Sequence, residues 1–137
     1  MSDERGSITA WLALSSVAMI VLVGLAVDLG GQVHAHERAH DIAAQAARVG
    51  GEEVDGGPAI QGSGLTINPN SARAAAQRYL DQAGISGTVT LTDGNTLTVT
   101  VHDRYNPQFL GLIGIHHLDV TGTATAHLIR TLGGSQQ

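Results

Sequence analysis

The hydrophobic pattern divides the chain near residue 30. Ile8 to Val27 is a run of twenty residues without a charge, holding four Leu, two Ile and four Val. At roughly −0.3 to −0.6 kcal/mol each near a helix centre, these ten side chains favour membrane insertion by about 3–6 kcal/mol before dilution. Twenty helical residues also span about 30 Å, the thickness of a bilayer's hydrocarbon core. A helix apolar on every side needs a large core or a membrane around it, and a short chain has little core. The run therefore predicts a transmembrane helix.

From Gln32 to Val49 the helical pattern continues, free of proline and dense in alanine. At about 100° per residue, Ala35, Ala39, Ile42, Ala46 and Val49 fall within about 40° of one line. This stripe of small apolar residues predicts close packing on a sheet or a neighbouring helix. As one helix, the 42 residues from Ile8 to Val49 extend about 63 Å. Gly30-Gly31 predicts a bend in it, with a break into two helices as the alternative.

The second half changes period twice. Residues 51–69 are rich in Gly, Pro, Glu and Asn and predict a loop, with a short extended stretch at Leu65 to Ile67. Asn70-Ser71 offers helix N-caps before Ala72, Ala75, Ala76, Tyr79, Leu80 and Ala83, and Gly84 ends that helix. Beyond it the period becomes two. Val89 and Leu91 alternate with threonines, Asp93-Gly94-Asn95 turns the chain, and Leu97, Val99 and Val101 alternate again, which predicts a β-hairpin. Asn106 to His116 is apolar but interrupted by Pro107, Gly111 and Gly114, the pattern of a short helical turn or packed loop. Leu118, Val120, Ala124, Ala126 and Leu128 predict a third strand, with Gly122 as a candidate bulge.

Three strands with one apolar face need a helix over that face. The expected class is α+β: a long N-terminal transmembrane and spine helix packed on a small three-stranded antiparallel sheet, with a second short helix. The expected organisation is a polar head (1–6), a transmembrane helix (7–29), its extension (30–50), the loop (51–69), a small α+β domain (70–130) and a flexible tail (131–137).

Composition narrows the function. The chain has 137 residues, enough for one modest domain, with net charge −5 and no basic run, so nucleic acid is not an expected partner. It has no cysteine, which removes disulfides, thiolate nucleophiles and cysteine metal sites. A cleaved secretory signal fits poorly, although Gly24-Leu25-Ala26 has a small-x-small form. The apolar run exceeds such a signal's usual length, about 7–15 residues, and the head carries Asp3 and Glu4 against Arg5.

His36 to His40 reads HERAH, the H-E-x-x-H pattern that places two zinc ligands and a general base on one helix. The histidines stand at i, i+4 and could share a metal. A catalytic zinc also needs a third protein ligand and a shaped cleft. Ala46 stands where the extended motif has its third histidine, and His116-His117 is distant in sequence. The wheel sets His36 and His40 about 100–140° from the apolar stripe and Glu37 about 200° from it. The motif is expected to be a solvated helix face, with no metal, cofactor or catalytic residue, and His116-His117 a polar turn.

Three stretches carry a family resemblance: DERGSITAWLAL, VGLAVDLGGQVHAHERAHDIAAQAARVGG and LTVTVHDRYNPQFLGLIGIHHLDVTGTATAHLIR. In order and spacing the chain resembles the TadE/TadG-like pseudopilins of bacterial tight-adherence (Flp, type IV-like) pilus systems. The resemblance implies a prepilin-peptidase cut between Gly6 and Ser7, leaving a free amine on Ser7. Many pilins carry a glutamate five residues into the mature chain; here Trp11 stands there, which puts a major filament role in doubt. What the resemblance implies is a minor pseudopilin or pilus-assembly component. Its expected partners are other pilin or pseudopilin subunits, the prepilin peptidase and the assembly platform, without a small-molecule substrate. Its expected location is the bacterial cytoplasmic membrane, single-pass, with the C-terminal domain outside the cytoplasm, or within or at the tip of a surface pilus. Charge alone does not orient the span, because Arg5 and Arg38 flank it almost symmetrically. The alternatives are a membrane-tethered extracytoplasmic binding module and, third, a zinc hydrolase built on HERAH.

Overall fold

The computed structural model describes residues 3–56 and 68–128. The predicted tail and the extended stretch at Leu65 to Ile67 lie outside them. The elements are α1 (Asp3–Gly56), α2 (Pro69–Gln82), β1 (Gly87–Thr92), β2 (Thr96–Tyr105), a 3-10 turn (Leu110–Ile113) and β3 (Leu118–His127). The strands form one antiparallel sheet in the order β1-β2-β3, so the class is α+β as expected.

Two boundaries differ from the sequence reading. Helix α1 runs without a break through Gly30-Gly31 and on to Gly56, past the point where glycines predicted a loop. Gly50 lies against α2 and β2: a Cβ there would stand 2.8 Å from the Ala72 carbonyl oxygen and 2.5 Å from Leu97 Cδ2. Packing at that point favours the residue of low helix propensity. The N-cap of α2 is Asn68, not Asn70 or Ser71: its side chain accepts from the Asn70 amide, and Pro69 takes the first turn. Proline fits there because its missing N–H would have had no helical partner.

The chain forms two compact units. One joins α1 as far as Ala35 with Arg104–Leu118; the other holds His36–Asp103 and the chain from Asp119 onward.

In the second unit, β1 and β2 pair from Gly87↔Val101 to Thr92↔Thr96. Asp93 and Gly94 both take positive φ, 54° and 70°, the twist a tight hairpin turn needs. Val89, Leu97, Val99, Val101 and Val120 are buried, whereas the threonines between them face outward or are half-covered. Over this apolar face lie the buried alanines of α1 (Ala39, Ala43, Ala46, Ala47) and of α2 (Ala72, Ala75, Ala76), with Leu80. Tyr79 ties the helices by donating its hydroxyl to Gln45 Oε1 at 2.7 Å.

Gly122 is not a bulge. Burial alternates through it from Val120 to Ala124, and its missing side chain lets β3 lie against the α1 backbone at Ala39 and His40. With so few aromatics, the core depends on a few fully buried aliphatics, chiefly Leu80 and Leu97. Leu97→Ala is expected to cost about 2–5 kcal/mol. Urea unfolding of the full chain in detergent, followed by circular dichroism, measures it; an unchanged midpoint would contradict the burial of Leu97.

Candidate functional site

The site lies in the first unit, where the apolar part of α1 meets the β2–β3 connection. From Ile8 to Val23 the large apolar side chains of α1 are exposed; Trp11 is 69% and Leu22 65% exposed. Among the described residues this is one helix long and apolar enough to cross a membrane. As far as Gln32 its covered positions are few: Gly24 and Asp28 are buried, and Ser15, Gly31 and Gln32 are half-buried.

Asp28 organises the contact. It is the sole charged residue between Arg5 and Glu37, and its side chain is fully buried. One carboxylate oxygen accepts from the Gln108 amide at 2.8 Å. The other accepts from the Phe109 amide at 2.9 Å and from the Leu110 amide at 2.6 Å. The Tyr105 hydroxyl donates to the carboxylate as well.

The local sequence explains this convergence. Pro107 carries no N–H, so the run of donors begins at Gln108, where the chain turns into the Leu110–Ile113 turn. That turn has no side-chain cap of its own. Asp28, about eighty residues earlier in the chain, supplies one, a carboxylate placed against the N–H groups that open a helical turn.

Glycines on α1 make the room. A Cβ at Gly24 would stand 2.6 Å from the Phe109 ring, and one at Gly31 would collide with the Tyr105 hydroxyl. Gly31 thus serves as a seat for an aromatic side chain, while Gly30 faces open space. Along α1 the sequence Gly24, Asp28, Gly31, Ala35 advances by four, three and four residues, one continuous helical face.

The residues singled out from sequence fall elsewhere. Gly6 and Ser7 are exposed in the first turns of α1. Of the predicted stripe, Ala35, Ala39 and Ala46 are buried and Ile42 and Val49 are half-buried. The buried line passes through Ala43 and Gly50 instead, one residue later at each of those turns. His36, Glu37 and His40 are exposed, as are His116 and His117. Among the described residues no group of three or more His, Asp or Glu is placed to hold a metal ion. The middle of HERAH makes a different contact: Arg38 pairs with Asp103 at 2.6 Å on the surface, a kind of pair that contributes little to stability.

Sequence reading passed over Asp28. The available signal was a lone carboxylate at the end of an apolar run, since ionisable groups at such positions need a partner. Its partners are backbone amides, which carry no residue signature. The geometry is that of a brace: a carboxylate and two glycine notches hold one apolar loop against one helix, and the carboxylate's oxygens are committed to the loop.

Comparison with known proteins agrees with the helix. Residues 6–53 match the Tad family profile, described as Flp pilus-assembly, TadE/G-like. No curated protein and no solved structure matches the chain.

Proposed function

We propose, on the premise that residues 6–53 belong to the TadE/G-like family of Flp pilus-assembly proteins, that the chain is a minor pseudopilin or pilus-assembly component without enzymatic activity. It is held by a single pass in the bacterial cytoplasmic membrane, with its C-terminal domain outside the cytoplasm. The observation that carries this reading is the coincidence of the family match with a helix whose large apolar side chains from Ile8 to Val23 are exposed; only 6% of its most apolar window is covered by protein. Exposed Leu, Ile, Val and Trp over sixteen residues (8–23) require lipid or other subunits around them.

The other parts of the reading follow from chemistry at the helix start. A prepilin peptidase cuts between Gly6 and Ser7, removing Asp3, Glu4 and Arg5, whose charges oppose extraction of the helix from the bilayer. The fifth mature residue is then Trp11, an exposed indole rather than a carboxylate. It cannot neutralise a neighbour's terminal amine inside a filament, which supports a minor or assembly role. The proposed partners are other pilin or pseudopilin subunits, the peptidase and the assembly platform.

Intact-mass measurement of the chain co-expressed with the prepilin peptidase tests the processing. The expected product begins at Ser7, and Gly6→Val is expected to remain full length. A wild-type product retaining Ser2 or Asp3 would remove the processing claim while leaving the anchor.

A further inference from the structure

We infer that the Phe109–Ile115 loop is a second membrane contact, a wedge that enters the lipid leaflet nearest Val27 beside the transmembrane helix. The inference rests on the anchor reading above and adds to it.

Depth is the first argument. Phe109 packs on Gly24, three residues inside the end of the apolar run at Val27, about 4.5 Å toward the membrane centre at a helical rise of 1.5 Å per residue. A loop seated there cannot avoid the leaflet if the helix spans it. The exposed apolar surface of α1 also continues past this level, through Leu25, Val27, Leu29 and Val33.

The second argument is side-chain chemistry. Asn106 to Ile115 (NPQFLGLIGI) contains no charge, and its polar neighbours are Arg104 before it and His116-His117 after it. Leu112 is 84% exposed and Ile113 74%, with Phe109 and Ile115 partly exposed beside them. In water these side chains, at the tip of a connection, gain nothing by pointing outward. In a leaflet they bury apolar surface, and the polar residues at both ends lie at headgroup level.

The third argument concerns the backbone, the usual obstacle to placing a loop in lipid. The amides of Gln108, Phe109 and Leu110 are taken by Asp28. Those of Leu112, Gly114 and Ile115 bond to Phe109, Gly111 and Leu110 carbonyls. Gly114 closes the turn at φ 95°. The same bonds keep the Asp28 carboxylate off the lipid-facing side of α1. Helix and loop each satisfy what the other could not expose to hydrocarbon.

The absence of cysteine allows single labelling sites in the full chain. Ile113→Cys, Val21→Cys and Thr90→Cys, each carrying an environment-sensitive fluorophore, are reconstituted in phosphatidylglycerol/phosphatidylethanolamine vesicles. Quenching by brominated lipid and by aqueous iodide is then compared. The expected result is lipid quenching at Val21 and Ile113, several-fold stronger than at Thr90, with iodide quenching the reverse. Lipid quenching at Val21 but iodide quenching at Ile113 overturns the wedge and leaves the anchor. Protection of Ile113 from both quenchers means protein covers it, which also overturns the wedge. Failure of lipid quenching at Val21 removes the anchor reading itself.

Discussion

Asp28→Asn is expected to detach the 105–115 loop from α1 while leaving the sheet folded. The carboxylate accepts three backbone N–H groups with two oxygens. An amide has one oxygen and one donor group, so in either orientation it sets an NH2 against at least one of those N–H groups. Leaving such donors without acceptors is more damaging than never having made the bonds. Hydrogen exchange at the Gln108, Phe109 and Leu110 amides is expected to accelerate about 10–100-fold, while Leu97, Val99 and Val101 keep their protection. Asp28→Glu is expected to resemble Asp28→Asn more than wild type. Its extra methylene has no room in a site closed by Phe109 on Gly24 and Tyr105 on Gly31. Unchanged exchange at all three amides in Asp28→Asn would show that the brace does not hold the loop.

Gly122→Val is expected to be the most damaging single change in the second unit. Its Cβ would overlap backbone atoms of Ala39 and His40. Backbone, unlike a flexible side chain, cannot rotate away, so α1 must lift from β3. The cost is expected to reach about 3 kcal/mol or more, a large share of the margin of a typical domain, about 5–15 kcal/mol. Thr121→Val, its exposed neighbour, is expected to stay within about 0.5 kcal/mol of wild type. Urea titration of both variants in detergent separates the cases. A wild-type midpoint for Gly122→Val would contradict the helix-on-strand contact.

Helix α1 is used differently along its length. Its first part presents large apolar side chains outward, and its later part presents alanine inward. Alanine keeps the α1 backbone close to the sheet: Ala39, Ala43 and Ala46 are fully buried although each offers a single methyl. Glycine extends the same principle where an aromatic ring or another backbone must come closer still. A spine of this kind stores little hydrophobic energy per residue, so its position depends on contacts such as Gly122 and Asp28 more than on bulk burial.

Much of this was legible in the chain because it is local. Period and composition are properties of neighbouring residues. They located the apolar helix, the alanine-rich face, the second helix and the alternating strands, and with them the α+β class. The same local rules misplaced the α1 terminus and the α2 cap. Gly50-Gly51 has low helix propensity in isolation, and Asn68 lies behind Pro69 in a stretch that looked like loop throughout. The predicted stripe and the buried line share Ala35, Ala39 and Ala46, and Ile42 and Ala43 lie on either side of that line, about 100° apart on the wheel. Only the surface opposite chooses between them.

The HERAH motif illustrates a related limit. Spacing alone proposed a metal pair. The wheel placed both histidines off the packing face, and in the folded chain they are exposed while Arg38 between them meets Asp103. A motif gains chemistry from what faces it, and that information lies elsewhere in the chain.

Hydrophobic periodicity, carried by adjacent residues, is enough to decide which segments are helix or strand and which helix is too apolar for water. Tertiary structure alone decided why Asp28 is tolerated at the end of that helix, why Gly31 and Gly122 are glycines, and where Leu112 and Ile113 point. Each of those depends on atoms about eighty residues apart meeting at hydrogen-bond or van der Waals distance. Two of the partners are backbone groups, which every residue possesses and no sequence pattern marks.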